Sequence, residues 1–229
     1  MHLNRTGVIA GVLYLAFGLA WVFGTHPPGP AWLLAGWLVA VAVMGSFIPG
    51  EANQVSLARA YLAAPALTYS LSPGHFGPLA LVLAVAGLTD LVDGTVARRF
   101  KRPTTLGGGL DPVIDGVLLG ALVIGLALGG NFPVWLAGVV VARYLFPAIG
   151  GLVLISLHRR PELHHTLTGQ VSTSLIIILV GGICLFRFLS QDVSNIVTGA
   201  EVVIPITTVA TFVHLAWLSR RPVAVAEPG

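Results

Sequence analysis

Thr89-Asp90-Leu91-Val92-Asp93-Gly94-Thr95-Val96-Ala97-Arg98 and, after a basic loop, Gly107-Gly108-Gly109-Leu110-Asp111-Pro112-Val113-Ile114-Asp115 decide how this chain folds. Four of its nine acidic residues stand in this window, inside stretches that otherwise read as membrane. A carboxylate in a membrane segment is costly, so its presence points to a task. Asp90 and Asp93 are three residues apart and Asp111 and Asp115 four apart, so on helices each pair shares a face.

The composition sets the surroundings. Of 229 residues, 55% are hydrophobic and only 9% charged, and the mean hydropathy is +0.90. A soluble domain carries about 25% charged residues. The chain therefore reads as an all-α polytopic membrane protein, integral to a bilayer and surrounded by membrane lipids. One cysteine, Cys184, excludes an intrachain disulfide and a Cys-based metal site. The basic residues are not gathered into a soluble domain, so the pI near 9.5 marks topology and not a nucleic-acid partner.

Apolar stretches of roughly 17–25 residues can each cross a bilayer. Eight are expected: Gly7–Phe23, Ala31–Ile48, Val55–Leu71, Gly77–Val96, Leu106–Leu128, Val134–Leu157, Leu167–Phe188 and Ile196–Leu218. Alternate connections carry Arg98, Arg99, Lys101 and Arg102, or Arg159 and Arg160, whereas those at Pro27–Pro30, Ser72–Gly74, Gly129–Pro133 and Ser190–Asp192 have no Lys or Arg. The positive-inside rule makes the basic loops and both termini cytoplasmic, in a plasma membrane of bacterial or archaeal type. The first apolar stretch, which resembles a signal peptide in charge and length, is expected to remain as a span.

With the fourth span running inward and the fifth outward, all four aspartates fall about one to two turns below the cytoplasmic surface. Antiparallel neighbours joined by a short loop would set the two pairs face to face. Four gathered carboxylates need cations to stay ionised. Two hard divalent ions, Mg²⁺ or Mn²⁺, suit an all-oxygen donor set, and paired ions can drive in-line substitution at phosphorus. Arg98 offers a fork for phosphate oxygens, and Gly107 opens a helix where N–H groups can receive an anion. Metals and a nucleotide diphosphate at the inner membrane surface fit this window. An aspartate pair alone would equally suit a helix end or a cation path.

Asp90-x-x-Asp93-Gly94-x-x-Ala97-Arg98, eight residues, Gly107, three residues, Asp111, three residues, Asp115 resembles the CDP-alcohol phosphatidyltransferase signature at each of its eight fixed positions. Upstream, Asn53-Gln54-Val55-Ser56-Leu57-Ala58-Arg59 is similar to that family's Asn-x-x-Thr-x-x-Arg, with Ser56 in place of Thr. The resemblance implies a six-helix catalytic core over residues 51–221, two additional N-terminal transmembrane helices within 1–50 and a cytoplasmic tail at 222–229. It implies that Asp90, Asp93, Asp111 and Asp115 hold two metal ions and that Asp115 is also the general base. Asn53, Ser56, Arg59, Gly94, Arg98, Thr104 and Gly107 would form the site for a CDP-diacylglycerol-type lipid. The active site would face the cytoplasm. A homodimer is compatible with the sequence but not encoded in any motif.

Arg143 lies mid-span, too deep to snorkel, which calls for a polar cavity or a phosphate partner. Similar enzymes with phosphorylated acceptors have an Arg here, usually followed by Glu; this chain has Tyr144. Arg143 and Arg159 are the expected acceptor-binding residues. Asp111-Pro112-Val113-Ile114-Asp115-Gly116 is most similar to glycerophosphate users, which commonly read Asp-Pro-x-Ala-Asp-Lys, and so favours sn-glycerol 3-phosphate as a small alcohol acceptor. Gly169-Gln170-Val171-Ser172-Thr173 lacks two lysines that those members carry, which keeps inositol phosphate, phosphatidylglycerol and serine in view. A membrane prenyltransferase would place its acidic motifs in distant halves of the chain, and a cation transporter would spread its acids near the midplane.

Overall fold

The computed structural model describes residues 3–72, 74–100, 107–156 and 167–219, without the side chains of 52, 90–100, 107–111, 151–156, 167, 218 and 219. Among the described residues there are eight helices and no strand. They are α1 (Arg5–Thr25), α2 (Ala31–Gly45), α3 (Glu51–Leu71), α4 (Phe76–Phe100), α5 (Gly107–Leu128), α6 (Val134–Ser156), α7 (Leu167–Phe188) and α8 (Ser194–Ser219). Phe17, Trp32, Leu81, Ile178, Ile206 and Val213 are among many large apolar side chains that face outward. An apolar exterior over a helical bundle is what a bilayer requires, because each helix satisfies its own backbone groups. The protein is a polytopic membrane protein.

Length and hydropathy divide the helices unevenly. Three described segments, Arg5–Thr25, Thr168–Phe188 and Ser194–Trp217, are long and apolar enough to cross a membrane. Ala31–Gly45, Phe76–Thr89, Pro112–Leu128 and Val134–Gly150 form shorter apolar helices. Among the eight helices α2 is shorter than the expected span Ala31–Ile48. Helix α2 stops at Gly45, giving a rise of only about 22 Å.

Helix α3 departs furthest from a simple span, and the reason is its place in the bundle. It packs against α5, α4, α2 and α1. Asn53, Gln54, Ser56, Arg59, Thr68 and Ser70 are all buried on it, beside Ala58, Ala60, Ala63, Ala64 and Ala66. Little of this helix meets lipid, so it tolerates polar groups that a lipid-facing helix could not. It begins at Glu51, four residues before the expected Val55, because Gly50 turns the chain with φ of 101° and releases a helical Glu51–Gln54 segment.

Close packing of α3 on α5 depends on glycine. A Cβ at Gly125 would stand 1.8 Å from Ser70 Oγ and 2.7 Å from the Leu67 carbonyl, and one at Gly129 would stand 2.8 Å from the Ser70 carbonyl. The helices run parallel, so the same contact that joins Ser70 to Gly125 brings Arg59 to Asp115 further along. Among the described residues, α4 and α5 do not form the packed antiparallel pair expected from their short connection. Both pack against α3, and they face each other across a cavity.

The first two helices make a hairpin on the other side of α3. Gly7 and Gly11 on α1 approach the Gly45 and Ala42 carbonyls of α2, where a Cβ would be at 2.6 and 3.3 Å. Trp21 Nε1 donates to Tyr69 Oη at 2.7 Å, and Trp37 Nε1 donates to the Ala60 carbonyl at 2.9 Å. Gln54 Nε2 donates to the carbonyls of Gly45 and Ile48, at 3.0 and 2.7 Å, which ties the end of the hairpin to the start of α3.

Candidate active site

At the polar end of the cavity, Arg59 Nη1 and Asp115 Oδ1 are 2.7 Å apart. Arg59 is buried, while the Asp115 side chain keeps 29% of its surface accessible. A guanidinium this close compensates the carboxylate and restricts its rotation. Arg59, expected as a contact for the donor, is thus placed against the expected base. Asn53 and Ser56 are buried on the same helix, about two turns and one turn before it respectively, and Asn53 Nδ2 donates to the Pro49 carbonyl at 2.6 Å.

The cavity itself has a volume of ≈ 240 Å³. Its walls are Leu83, Ala86 and Gly87 from α4, Leu118, Leu119 and Leu122 from α5, and Ile177, Val180 and Gly181 from α7, with Arg59 and Asp115 at one end. Gly87 and Ile177 are also exposed on the outer surface, so the space reaches the lipid-facing side between α4 and α7. One polar end and apolar walls match a lipid phosphate in chemical character.

Helix α4 carries positions 90, 93, 94 and 98, and α5 opens at Gly107 and carries positions 111 and 115. The side chains of Asp90, Asp93, Arg98 and Asp111, and the surroundings of Gly94 and Gly107, lie outside the described residues, as do Thr104 and Arg159 entirely. The described residues contain no cluster of three metal-ligating side chains. The donor set nevertheless fits hard divalent ions, since it consists of carboxylates at helical spacing. Asp115 can accept from Arg59 through Oδ1 and still has lone pairs for a further partner.

Arg143 sits on α6 and is 6% exposed. Its Nη2 donates to the Gly169 carbonyl at 2.9 Å and to Thr173 Oγ1 at 3.0 Å, and its Nη1 donates to Thr211 Oγ1 at 3.2 Å. The guanidinium therefore joins α6, α7 and α8. No carboxylate pairs with it among the described residues. Arg143 Nε, Tyr144 Oη, Ser172 Oγ and Thr208 Oγ1 are buried without hydrogen-bond partners among the described residues. Such a group costs about 1–3 kcal/mol when left unpaired, so their concentration on three converging helices marks a polar chamber. Thr168 Oγ1 and His214 Nδ1 meet at 2.6 Å at the exposed edge of α7 and α8.

Sequence reasoning missed Thr211 as a partner of Arg143. The signal available was Thr207, Thr208 and Thr211, a polar stripe on an otherwise apolar helix. Nothing in the sequence marked Gln54 as the link between α2 and α3.

A model of the family described as CDP-alcohol phosphatidyltransferase matches residues 51–220, which comprise α3 to α8. The chain belongs to the CDP-alcohol phosphatidyltransferase family. This family generally depends on a divalent metal. A probable CMP-forming cardiolipin synthase of Drosophila melanogaster is 34% identical over 145 residues, covering 56% of this chain and 45% of the relative. A probable phosphatidylglycerophosphate synthase of Mycobacterium tuberculosis is 30% identical over 100 residues, covering 44% of this chain and 46% of the relative. The archaetidylinositol phosphate synthase of Methanothermobacter thermautotrophicus is 36% identical over 94 residues, covering 38% of this chain and 48% of the relative. The chain spans less than half the length of these curated relatives in each match. No solved structure matches it.

Proposed function

We propose that this phosphatidyltransferase-family chain moves a phosphatidyl group from a CDP-diacylglycerol-type lipid to an alcohol that itself carries a phosphate, releasing CMP. The observation that carries this reading is Asp115, a partly accessible carboxylate held by buried Arg59 at the polar end of an apolar cavity. The lipid tail of the donor suits the cavity walls, and its diphosphate suits the polar end. Asp90, Asp93, Asp111 and Asp115 would hold two divalent ions, Mg²⁺ or Mn²⁺, which when bound neutralise the diphosphate and the departing CMP.

The steps assigned to the chain's own residues are few. Asp115 takes the proton of the acceptor hydroxyl as that oxygen attacks the phosphorus bearing the lipid. The bond from that phosphorus to the bridging oxygen breaks, and CMP leaves with the electron pair. Gly94, Arg98, Thr104 and Gly107 would receive the nucleotide, together with Asn53, Ser56 and Arg59. Arg143 would grip the acceptor phosphate, assisted by Arg159. The basic loops support a cytoplasmic-facing site.

For the acceptor, phosphatidylglycerol is the first reading, with cardiolipin as product. Arg143 is the buried cation without an acidic partner among the described residues. The similarity to a cardiolipin synthase over 145 residues supports this reading. The Asp111-Pro112 motif favours sn-glycerol 3-phosphate as the second reading. Purified protein given CDP-diacylglycerol with phosphatidylglycerol, glycerol 3-phosphate, inositol phosphate or serine tests this by mass spectrometry of the lipid product. Cardiolipin alone supports the first reading; phosphatidylglycerophosphate alone overturns it in favour of the second.

A further inference from the structure

Gly116 follows Asp115 directly on α5, and it is pressed against Tyr144 on α6. A Cβ at Gly116 would lie 2.7 Å from Tyr144 Cβ, 3.0 Å from Cγ and 3.1 Å from Cδ1. Any side chain at 116 would displace the ring, so the absence of one fixes Tyr144 next to the carboxylate. On its other side, the Tyr144 ring centroid is 5.7 Å from the Arg143 guanidinium carbon. The phenol oxygen is buried without a hydrogen-bond partner among the described residues. Thr173 and Arg143 lie near enough to pair with the phenol after a small adjustment, and the Asp115 carboxylate lies within electrostatic reach of it.

A buried tyrosine normally finds a partner for its O–H, because an apolar residue would otherwise serve the packing better. Here the neighbouring unpaired groups, Arg143 Nε, Ser172 Oγ and Thr208 Oγ1, belong to α6, α7 and α8. The partner that would complete them is an anionic, oxygen-rich group. An acceptor phosphate meets that description and would leave the acceptor's hydroxyl beside Asp115.

We propose that Tyr144 is a specificity-determining residue of the acceptor site, its phenol O–H donating to the acceptor's phosphate beside Arg143 while Gly116 keeps the ring next to Asp115. The assignment rests on phosphatidyl transfer to a phosphate-bearing alcohol. It explains why Tyr144 and Gly116 occur together: a bulkier residue at 116 would occupy the space of the ring.

The test compares the purified wild type with Tyr144→Phe and Gly116→Ala. CMP release is measured from CDP-diacylglycerol while the acceptor is varied, either phosphatidylglycerol in mixed micelles or glycerol 3-phosphate. The acceptor that turns over identifies the source of the phosphate. Tyr144→Phe should raise the acceptor KM about tenfold, the loss of one hydrogen bond to a charged group. The KM for CDP-diacylglycerol should stay within about twofold. Gly116→Ala, checked for folding by its melting curve, should reproduce the selective rise. An unchanged acceptor KM in Tyr144→Phe, or equal rises in both KM values, overturns the proposal. If the wild type releases no CMP with either acceptor, phosphatidyl transfer has failed as the activity. Stabilisation of the protein by each acceptor alone then decides about Tyr144: its loss in Tyr144→Phe supports the proposal, and equal or absent stabilisation in both proteins overturns it.

Discussion

Arg59 and Asp115 meet at 2.7 Å from two parallel helices, one buried almost completely inside the bundle and the other facing the cavity. The pair connects the scaffold to the chemistry, because the orientation of the expected base is set by a residue on the most enclosed helix. Asp115→Asn keeps the shape of the side chain but cannot take a proton. It should lower CMP release by about 10²-fold or more, while CDP-lipid binding, followed by equilibrium dialysis, is largely retained. Near-normal turnover would remove Asp115 from the role of base. Arg59→Lys should also reduce turnover, since a lysine ammonium does not reproduce the fixed fork of a guanidinium.

Gly125 offers a test of the scaffold without touching the site. Its Cβ would run into Ser70 Oγ and the Leu67 carbonyl, the latter being backbone that cannot rotate away. Gly125→Ala should destabilise the protein by about 1–3 kcal/mol, the usual penalty for overpacking. Thermal unfolding in detergent should show a lower midpoint than wild type. An unchanged midpoint would mean that α3 and α5 are not so closely apposed.

Much of the helical layout was legible from the sequence. Helix α7 has the expected bounds, and α4 and α5 start within one residue of them, because Pro, Gly and Asn punctuate the apolar runs. The start of α3 was not legible from hydropathy, by which Glu51-Ala52-Asn53-Gln54 looks like loop; only the resemblance of Asn53–Arg59 pointed to a helix there. Long-range pairings were also hidden. No periodicity links Arg59 to Asp115, or Gly116 to Tyr144; both depend on how closely the helices approach, which is fixed by glycines whose purpose a sequence does not display. Tyr144 could be seen as a departure from the family pattern, but not as the neighbour of another departure, Gly116.

Arg143 should govern use of the acceptor. Arg143→Ala should raise the acceptor KM roughly 10- to 150-fold, the equivalent of about 1.5–3 kcal/mol for a charged contact. The KM for the CDP-lipid should move far less. Thr211→Val removes one of the groups that orient the guanidinium and should give a smaller shift in the same direction. Equal effects on both substrates would assign Arg143 to holding α6, α7 and α8 together.

A crossing by α5 would place the α4–α5 connection and the α5–α6 turn on opposite sides of the membrane. In a Cys184→Ala background, Thr104→Cys should react with an impermeant maleimide only from the cytoplasmic side, and Gly130→Cys only from the other. Labelling of both from one side would contradict the crossing of α5 and the orientation drawn from the basic loops.

The central claim is metal-dependent phosphatidyl transfer centred on Asp115. The most direct measurement is CMP release by the purified protein from CDP-diacylglycerol with phosphatidylglycerol or glycerol 3-phosphate, with Mg²⁺ or Mn²⁺ supplied or chelated. CMP should appear in proportion to a new phospholipid, disappear on chelation, return with either ion and be absent in Asp115→Asn. Wild-type protein that binds these ions yet releases no CMP with any acceptor, or releases it equally in Asp115→Asn, would contradict the claim.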